Sequence, residues 1–149
     1  MSLDLHATAD ERLRGTGQRY TDRRRQLVGL LAEQGPLSIP QILEARTDLK
    51  QSSVYRNLSD LEQAGVVHRV ATDEEHGRYE LAEDLIGHHH HLICSSCGLV
   101  EDVTIPGGLE TTIERSLDRL AARAGFARVR HRLDLIGTCR ACREASATG

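Results

Sequence analysis

Residues 88–97 read His88-His89-His90-His91-Leu92-Ile93-Cys94-Ser95-Ser96-Cys97, and a second pair, Cys139-Arg140-Ala141-Cys142, follows. Strand side chains alternate between two faces. If residues 88–94 are extended, His88 and His90 face one way and His89 and His91 the other. One strand then feeds two metal sites on opposite faces, and the cysteines a third. All 4 cysteines of the chain fall in the two C-x2-C pairs. Each such knuckle offers two thiolates to one tetrahedral zinc ion. The 41 residues between Gly98 and Thr138 would make this site a staple from the end of the chain to its middle. The competing reading is a pair of redox motifs or disulfides; it is disfavoured because neither pair reads as opening a helix beside a βαβ unit. The histidine run is internal and short, unlike a purification tag.

Working outward, the 149 residues fit one domain or two small ones. Small domains have small cores, where a structural metal helps most. Residues 1–15 hold no apolar run, which predicts no signal peptide, and no segment approaches a membrane span. Reduced, metal-bound thiols then predict a cytoplasmic protein. The net charge of −3 does not advertise nucleic-acid binding. Its distribution is more telling: Arg12, Arg14, Arg19, Arg23, Arg24 and Arg25 stand against Asp4, Asp10, Glu11 and Asp22, which allows a local basic face.

Thr21 suits the N-cap of a helix to about Gln34, with Leu27, Leu30 and Leu31 at helical spacing and Gly35-Pro36 as its stop. Ser38 suits a second cap, with Pro40 tolerated in the first turn and Ile39, Ile42 and Leu43 as the apolar stripe. A third helix starts near Gln51 or Ser52, buries Val54, Leu58 and Leu61, and ends at Gly65. Three short helices with tight connections read as a helix-turn-helix unit. Residues 66–71 and 77–81 then read as two strands around the acidic turn Asp73-Glu74-Glu75, completing a winged helix. On the third helix, Ser52, Ser53, Tyr55, Arg56 and Asn57 lie on or near the exposed N-terminal half. These residue types suit phosphate and base-edge contacts, against the alternative of an ordinary solvated face.

Residues 83–87 read as a hinge, and 88–94 and 100–103 as strands. Leu109, Ile113, Leu117, Leu120 and Ala124 mark an amphipathic helix ended by Gly125. Residues 127–137 alternate, with Val129, His131, Leu133 and Leu135 on one face. A histidine on an apolar face is commonly a core residue; here the other histidines need a partner nearby, which favours a ligand. The tail beyond Cys142 reads as disordered. The expected organisation is α+β: a winged helix-turn-helix DNA-binding domain over 1–82, a hinge over 83–87, and a small α/β metal-binding dimerisation domain over 88–149.

The stretch from His89 to Gly98, H-x-H-x2-C-x2-C-G, together with Thr21-Asp22-Arg23-Arg24, Ser53-Val54-Tyr55-Arg56-Asn57-Leu58, Arg78-Tyr79-Glu80-Leu81 and Gly137-Thr138-Cys139-Arg140-Ala141-Cys142, resembles the ferric uptake regulator family. The likeness covers about residues 12–143. It implies a homodimeric, metal-sensing repressor that binds a double-stranded DNA operator. Carried over residue by residue, it implies a structural zinc at Cys94, Cys97, Cys139 and Cys142. It implies a regulatory site at His68, Glu80, His89 and His91, and a third site at His88, His90, Glu110 and His131. DNA contacts are expected from Arg19, Arg24, Ser52, Ser53, Tyr55 and Arg56. The His-rich strand looks most like the zinc-uptake branch, so Zn²⁺ is the expected effector. The hinge, however, offers Ala82, Glu83 and Asp84 where that branch carries a cysteine. Residues 35–38 lack the histidine of the iron and peroxide branches, which also use the acid matching Asp102. Fe²⁺, Ni²⁺ and Mn²⁺ therefore stay open at the regulatory site, as does a peroxide-sensing role, and so does whether Glu83, Asp84 or Asp102 joins it. A zinc hydrolase is disfavoured, since there is no H-E-x-x-H and no general base beside an open metal position; no enzyme activity, small-molecule substrate or membrane partner is expected.

Overall fold

The structure, a computed structural model, describes residues 4–70 and 77–147. It opens on a helix that the sequence reading passed over, α1 (Leu5–Gly15), capped by the Asp4 carboxylate, which accepts from the His6 and Ala7 N–H groups. Besides that cap, its sequence signal is the spacing of Leu5, Ala9 and Leu13, of which Ala9 and Leu13 are fully buried. α2 (Asp22–Gln34) begins at Thr21 and stops at Gly35, whose φ of 75° places it in the left-handed region. α3 (Ile39–Ala45) carries the full capping box of Ser38 and Gln41. α4 (Gln51–Gln63) buries Val54, Leu58 and Leu61 and is followed by Gly65 at φ 74°. These four helices share one core with the wing, through Leu27, Val28, Ile39, Ile42, Val66 and Leu81.

The wing is an antiparallel pair, β1 (Val67–Val70) and β2 (Arg78–Leu81), in which His68 stands directly opposite Glu80. The acidic turn 73–75 lies outside the described residues. Backbone bonds between Leu37 and Tyr79 tie the α2–α3 connection to β2. The segment expected to be a plain hinge contains a single helical turn, α5 (Glu83–Ile86).

Beyond it lies a three-stranded sheet in the order β4-β3-β5. β3 (His90–Cys94) runs antiparallel to β4 (Val100–Val103) and parallel to β5 (Asp134–Gly137), with α6 (Gly107–Arg123) between β4 and β5 in sequence. Two expected strands are shorter than the sequence reading has them. His88 and His89 precede β3, and of residues 127–137 only the last four join the ladder, the pairing with β3 beginning at Asp134, while Arg128 takes φ 55° near the start of the run. The tail expected to be disordered is helical instead: α7 spans Arg140–Ala147. The Cys139 carbonyl closes its first turn by accepting from the Arg143 N–H at 3.0 Å.

The wing also touches the C-terminal sheet. Val70 packs with Ile93 and Val100 in a second small core. The buried Arg78 donates from Nε to the Gly98 carbonyl at 2.6 Å and from Nη1 to Gln41 Oε1. We therefore expect Arg78→Ala to cost about 2–3 kcal/mol, the worth of charged hydrogen bonds plus acceptors left dry. Urea denaturation at fixed protomer and zinc concentration reads this; a loss below ~0.5 kcal/mol would mean that water replaces the guanidinium.

Candidate metal centres

Among the described residues, three groups of donor side chains gather, each within 4.8 Å between ligand atoms: Cys94, Cys97, Cys139 and Cys142; Glu80, His89, His91 and Asp102; and His88, His90, Glu110 and His131. All rest on where the strands end. β3 finishes at Cys94, the turn after it carries Cys97, and the parallel neighbour β5 delivers Cys139 beside them. Contrary to the sequence reading, the second pair does open a helix, α7, yet no disulfide forms. Cys97 Sγ lies 3.8 Å from Cys139 Sγ, and the Cys139 N–H donates to Cys94 Sγ at 3.3 Å. Backbone N–H groups of Cys139 and Cys97 pull the Cys94 thiol down to about 6, whereas hydrogen bonds to the Cys139 and Cys97 sulfurs push Cys142 up to about 12. Four sulfurs this close cannot all ionise without a cation among them.

The second group spans the wing and the sheet. The buried Glu80 of β2 lies 2.8 Å from His91 Nε2 and 3.2 Å from His89 Nε2. Asp102 Oδ1 stands 3.7 Å from each of those nitrogens. Asp134 holds His91 Nδ1 at 3.0 Å from the other side. Of the four residues expected here, Glu80, His89 and His91 meet. His68 sits 2.7 Å from Glu80 Oε1 across the wing ladder but falls outside the donor group, where Asp102 stands instead. Burial opposes ionisation of Glu80, but hydrogen bonds from His68 and His91 outweigh it and hold the carboxyl well below its usual range. Burial likewise opposes a charge on His91, and the Glu80 and Asp134 carboxylates reverse this, raising it. Burial and the Glu80 charge raise Asp102. A cation must displace the His91 proton, so the affinity of this group for metal rises with pH.

The third group is built around Glu110 in the first turn of α6. Its oxygens lie 2.8 Å from His88 Nε2, and 2.7 Å from both His90 Nε2 and His131 Nε2. The hydrogen bond from His90 holds its carboxyl below the usual range against desolvation. His131 arrives from an irregular segment rather than a strand, so the alternation used to orient it does not apply. The separation of His88 and His90 from His89 and His91 nevertheless holds, although only His90 and His91 lie within β3. The ring pairs record it: His88 meets His90 at 4.7 Å between centroids, and His89 meets His91 at 5.0 Å.

Of the carboxylates around the histidines, Asp134 is an addition, while Asp102 and Glu83 were left open by the sequence and here take places in different groups. Asp102 follows from the hairpin, since it pairs with His91 in the β3–β4 register and a count around the Cys94–Cys97 turn reaches it. Asp134 faces His91 only through the parallel β3–β5 pairing, for which no local signal exists. Glu83 contacts His88 Nδ1 from α5.

On the DNA-binding side, Arg19, Ser52, Tyr55 and Arg56 are exposed and Ser53 is half-buried. Two expectations change. Arg24 is buried, and its guanidinium is engaged by Asn57, Asp60, Gln18 and the Arg19 carbonyl, so it braces α2 against α4. Asn57 is buried as well, donating to Ser53 Oγ at 3.2 Å.

No helix among the described residues is long and apolar enough to cross a membrane. The Legionella pneumophila ferric uptake regulation protein is 35% identical over 101 residues, covering 68% of this chain and 69% of that protein. Among solved structures, the Helicobacter pylori ferric uptake regulator, which has three functional metal-binding sites, matches with a TM-score of 0.71 at 26% identity over 95% of each chain. A zinc uptake regulator complexed with zinc and DNA matches with a TM-score of 0.55 at 28% identity, over 97% of this chain and 96% of that one. The ferric uptake regulator family profile matches residues 15–136, and with its winged helix, its small α/β domain and these relatives, the chain belongs to that family of metal-responsive transcription regulators, which are not enzymes.

Proposed function

We propose that this chain is a zinc-responsive, dimeric repressor of metal-uptake or metal-homeostasis genes, acting in the cytoplasm on a double-stranded operator. The observation that carries this reading is the second donor group, which draws Glu80 from the wing and His89, His91 and Asp102 from the C-terminal sheet. Residues from two bodies meeting at one point can set the angle between them, and that angle decides whether two recognition helices match successive half-sites. When bound, an ion supplies the bond that holds wing to sheet, favouring the DNA-binding arrangement by its differential affinity for it. Glu80 is preset as an anion, and Asp134 fixes the His91 ring through Nδ1.

The donor atoms fit metals on their own chemistry. In the third group, His90 Nδ1 and His131 Nε2 are buried without a hydrogen-bond partner; His131 Nε2 is close to Glu110 but misaligned. Such atoms are costly unless a ligand takes them up. The cysteine group would hold a structural zinc. For the second group, zinc is favoured by the branch resemblance. The presence of Asp102 favours the other reading, an iron- or manganese-dependent regulator that includes peroxide sensing, because two carboxylates make a harder donor set. Operator binding titrated with buffered Zn²⁺, Fe²⁺, Mn²⁺ and Ni²⁺ decides between them. Activation by zinc at the lowest free concentration supports our reading. Activation by iron, lost on mild peroxide, supports the alternative.

Homodimerisation is supported by α6, none of whose residues is buried in the single chain, and by exposed Leu109, Leu120, Phe126, Leu135 and Ile136. An apolar surface of this extent marks an interaction face.

DNA contact is assigned to the exposed front of α4, Ser52, Ser53, Tyr55 and Arg56, with Arg19. Arg56→Ala should weaken operator binding by about 1–3 kcal/mol if Arg56 meets a base edge, with metal content and dimerisation unchanged. Fluorescence anisotropy at moderate salt measures it, and wild-type affinity would remove Arg56 from the interface.

A further inference from the structure

We propose that Glu83 and Asp84, adjacent residues of the one-turn helix α5, form a strap that carries the state of the His88/His90/Glu110/His131 group to the end of the recognition helix. The inference rests on that group being a metal site. It gives the group a route to the DNA-binding side that bypasses Glu80, His89, His91 and Asp102.

The route is a chain of contacts. Glu83 Oε1 binds His88 Nδ1, and His88 Nε2 faces Glu110 Oε1 at 2.8 Å. A carboxylate on one ring nitrogen fixes the ring and leaves the other nitrogen aimed at the cluster, the arrangement that supports ligating histidines in metal sites. Neighbouring helix positions point about 100° apart, so Asp84 leaves α5 in another direction. It pairs with Arg12 of α1. Arg12 Nη1 also donates to the Gly65 carbonyl at 2.7 Å, in the turn that follows α4. Arg12 is thereby shared between the hinge and the end of the recognition helix. α5 also packs Leu85 against the N-terminal core, but among the described contacts only Glu83 joins its side chains to the third group.

The two halves of the strap differ in weight. Glu83 supports a ligand directly, and loss of such an outer partner typically lowers metal affinity about 10–100-fold. The Arg12–Asp84 pair is exposed on the Asp84 side, at 64%. Pairs of this kind contribute about 0.2–1 kcal/mol, so its loss should shift the response only about two- to fivefold.

The test uses the full chain as a dimer with its cysteine site loaded, Zn²⁺ as the probe, and the variants Glu83→Gln and Asp84→Asn. Chelator competition reads the affinity of each class of zinc site. Hydrogen exchange reads the amides of residues 83–87, and operator anisotropy reads the free zinc needed for half-maximal binding. Glu83→Gln should weaken one class about tenfold or more, loosen the α5 amides and raise the zinc midpoint. Asp84→Asn should leave all zinc affinities alone and still raise the midpoint about two- to fivefold. If Glu83→Gln alters neither affinity nor hinge protection while wild type binds a third zinc, the strap is overturned and the third site stands. A wild-type midpoint in Asp84→Asn overturns the link to α4. Failure of the wild-type chain to take up any zinc beyond the cysteine and Glu80 groups overturns the third-site reading and the strap with it.

Discussion

Cys97→Ser should leave a chain that loses about one zinc and no longer forms a stable dimer. The four sulfurs join the turn after β3 to the segment after β5, alongside the β3–β5 ladder and two bonds to the Gly137 carbonyl from Ser95. Structural zinc sites of this kind contribute on the order of 10 kcal/mol of folding free energy near neutral pH. That exceeds what the few buried side chains of the C-terminal half supply, since α6, β5 and α7 bury none. Serine removes one thiolate and leaves three, too few to close a tetrahedral site. Zinc per chain after exhaustive chelator dialysis and sedimentation equilibrium measure the result. Four freely titratable thiols in a wild-type chain that still dimerises would refute the assignment. The same variant should also disturb the wing, because Arg78 holds the Gly98 carbonyl directly beside Cys97.

The second large effect separates the two histidine groups. His89→Ala/His91→Ala should abolish metal-dependent operator binding while the cysteine zinc stays in place. His88→Ala/His90→Ala should only raise the metal concentration required. The asymmetry comes from position. Glu80, His89, His91 and Asp102 bridge wing and sheet, whereas His88, His90, Glu110 and His131 lie within the C-terminal half and touch α5 through Glu83. Moving a two-state equilibrium from 1:99 to 99:1 takes about 5.5 kcal/mol of differential binding, which one bridging ion with four donors can supply and an exposed strap cannot. Anisotropy titrations on both variants, with zinc content checked, measure this. The opposite pattern sinks the assignment, and equal loss in both would mean that the groups act as one coupled unit.

Much of this was readable before any tertiary structure, and for local reasons. The caps of α2 and α3 sit at Thr21 and Ser38 because hydroxyl side chains satisfy free N–H groups wherever a helix starts. Gly35 and Gly65 mark stops because both take positive φ. Where the reading failed, local signals were weak or overridden. α1 gives a weak signal because its inward face is only Leu5, Ala9 and Leu13. The alternation of residues 127–137 suggested one long strand, but a strand exists only where a neighbour offers a ladder, and Arg128 leaves the extended region before β5. Arg24 reads as one of the exposed cations, since charge alone does not tell a surface arginine from one folded over Asn57 and Asp60.

The sequence by itself determined that donors would form three groups, because C-x2-C spacing and the two-residue period are properties of a short stretch of chain. It also determined the winged helix, through helix periodicity, caps and glycine stops. Only the tertiary structure decided which further carboxylates stand beside the two histidine groups. Asp102 enters through the register of β4 on β3, Asp134 through the parallel pairing of β5, and Glu83 through one turn of helix in the hinge. Register and the approach of distant segments depend on packing summed over the whole molecule, so no single stretch of sequence carries them.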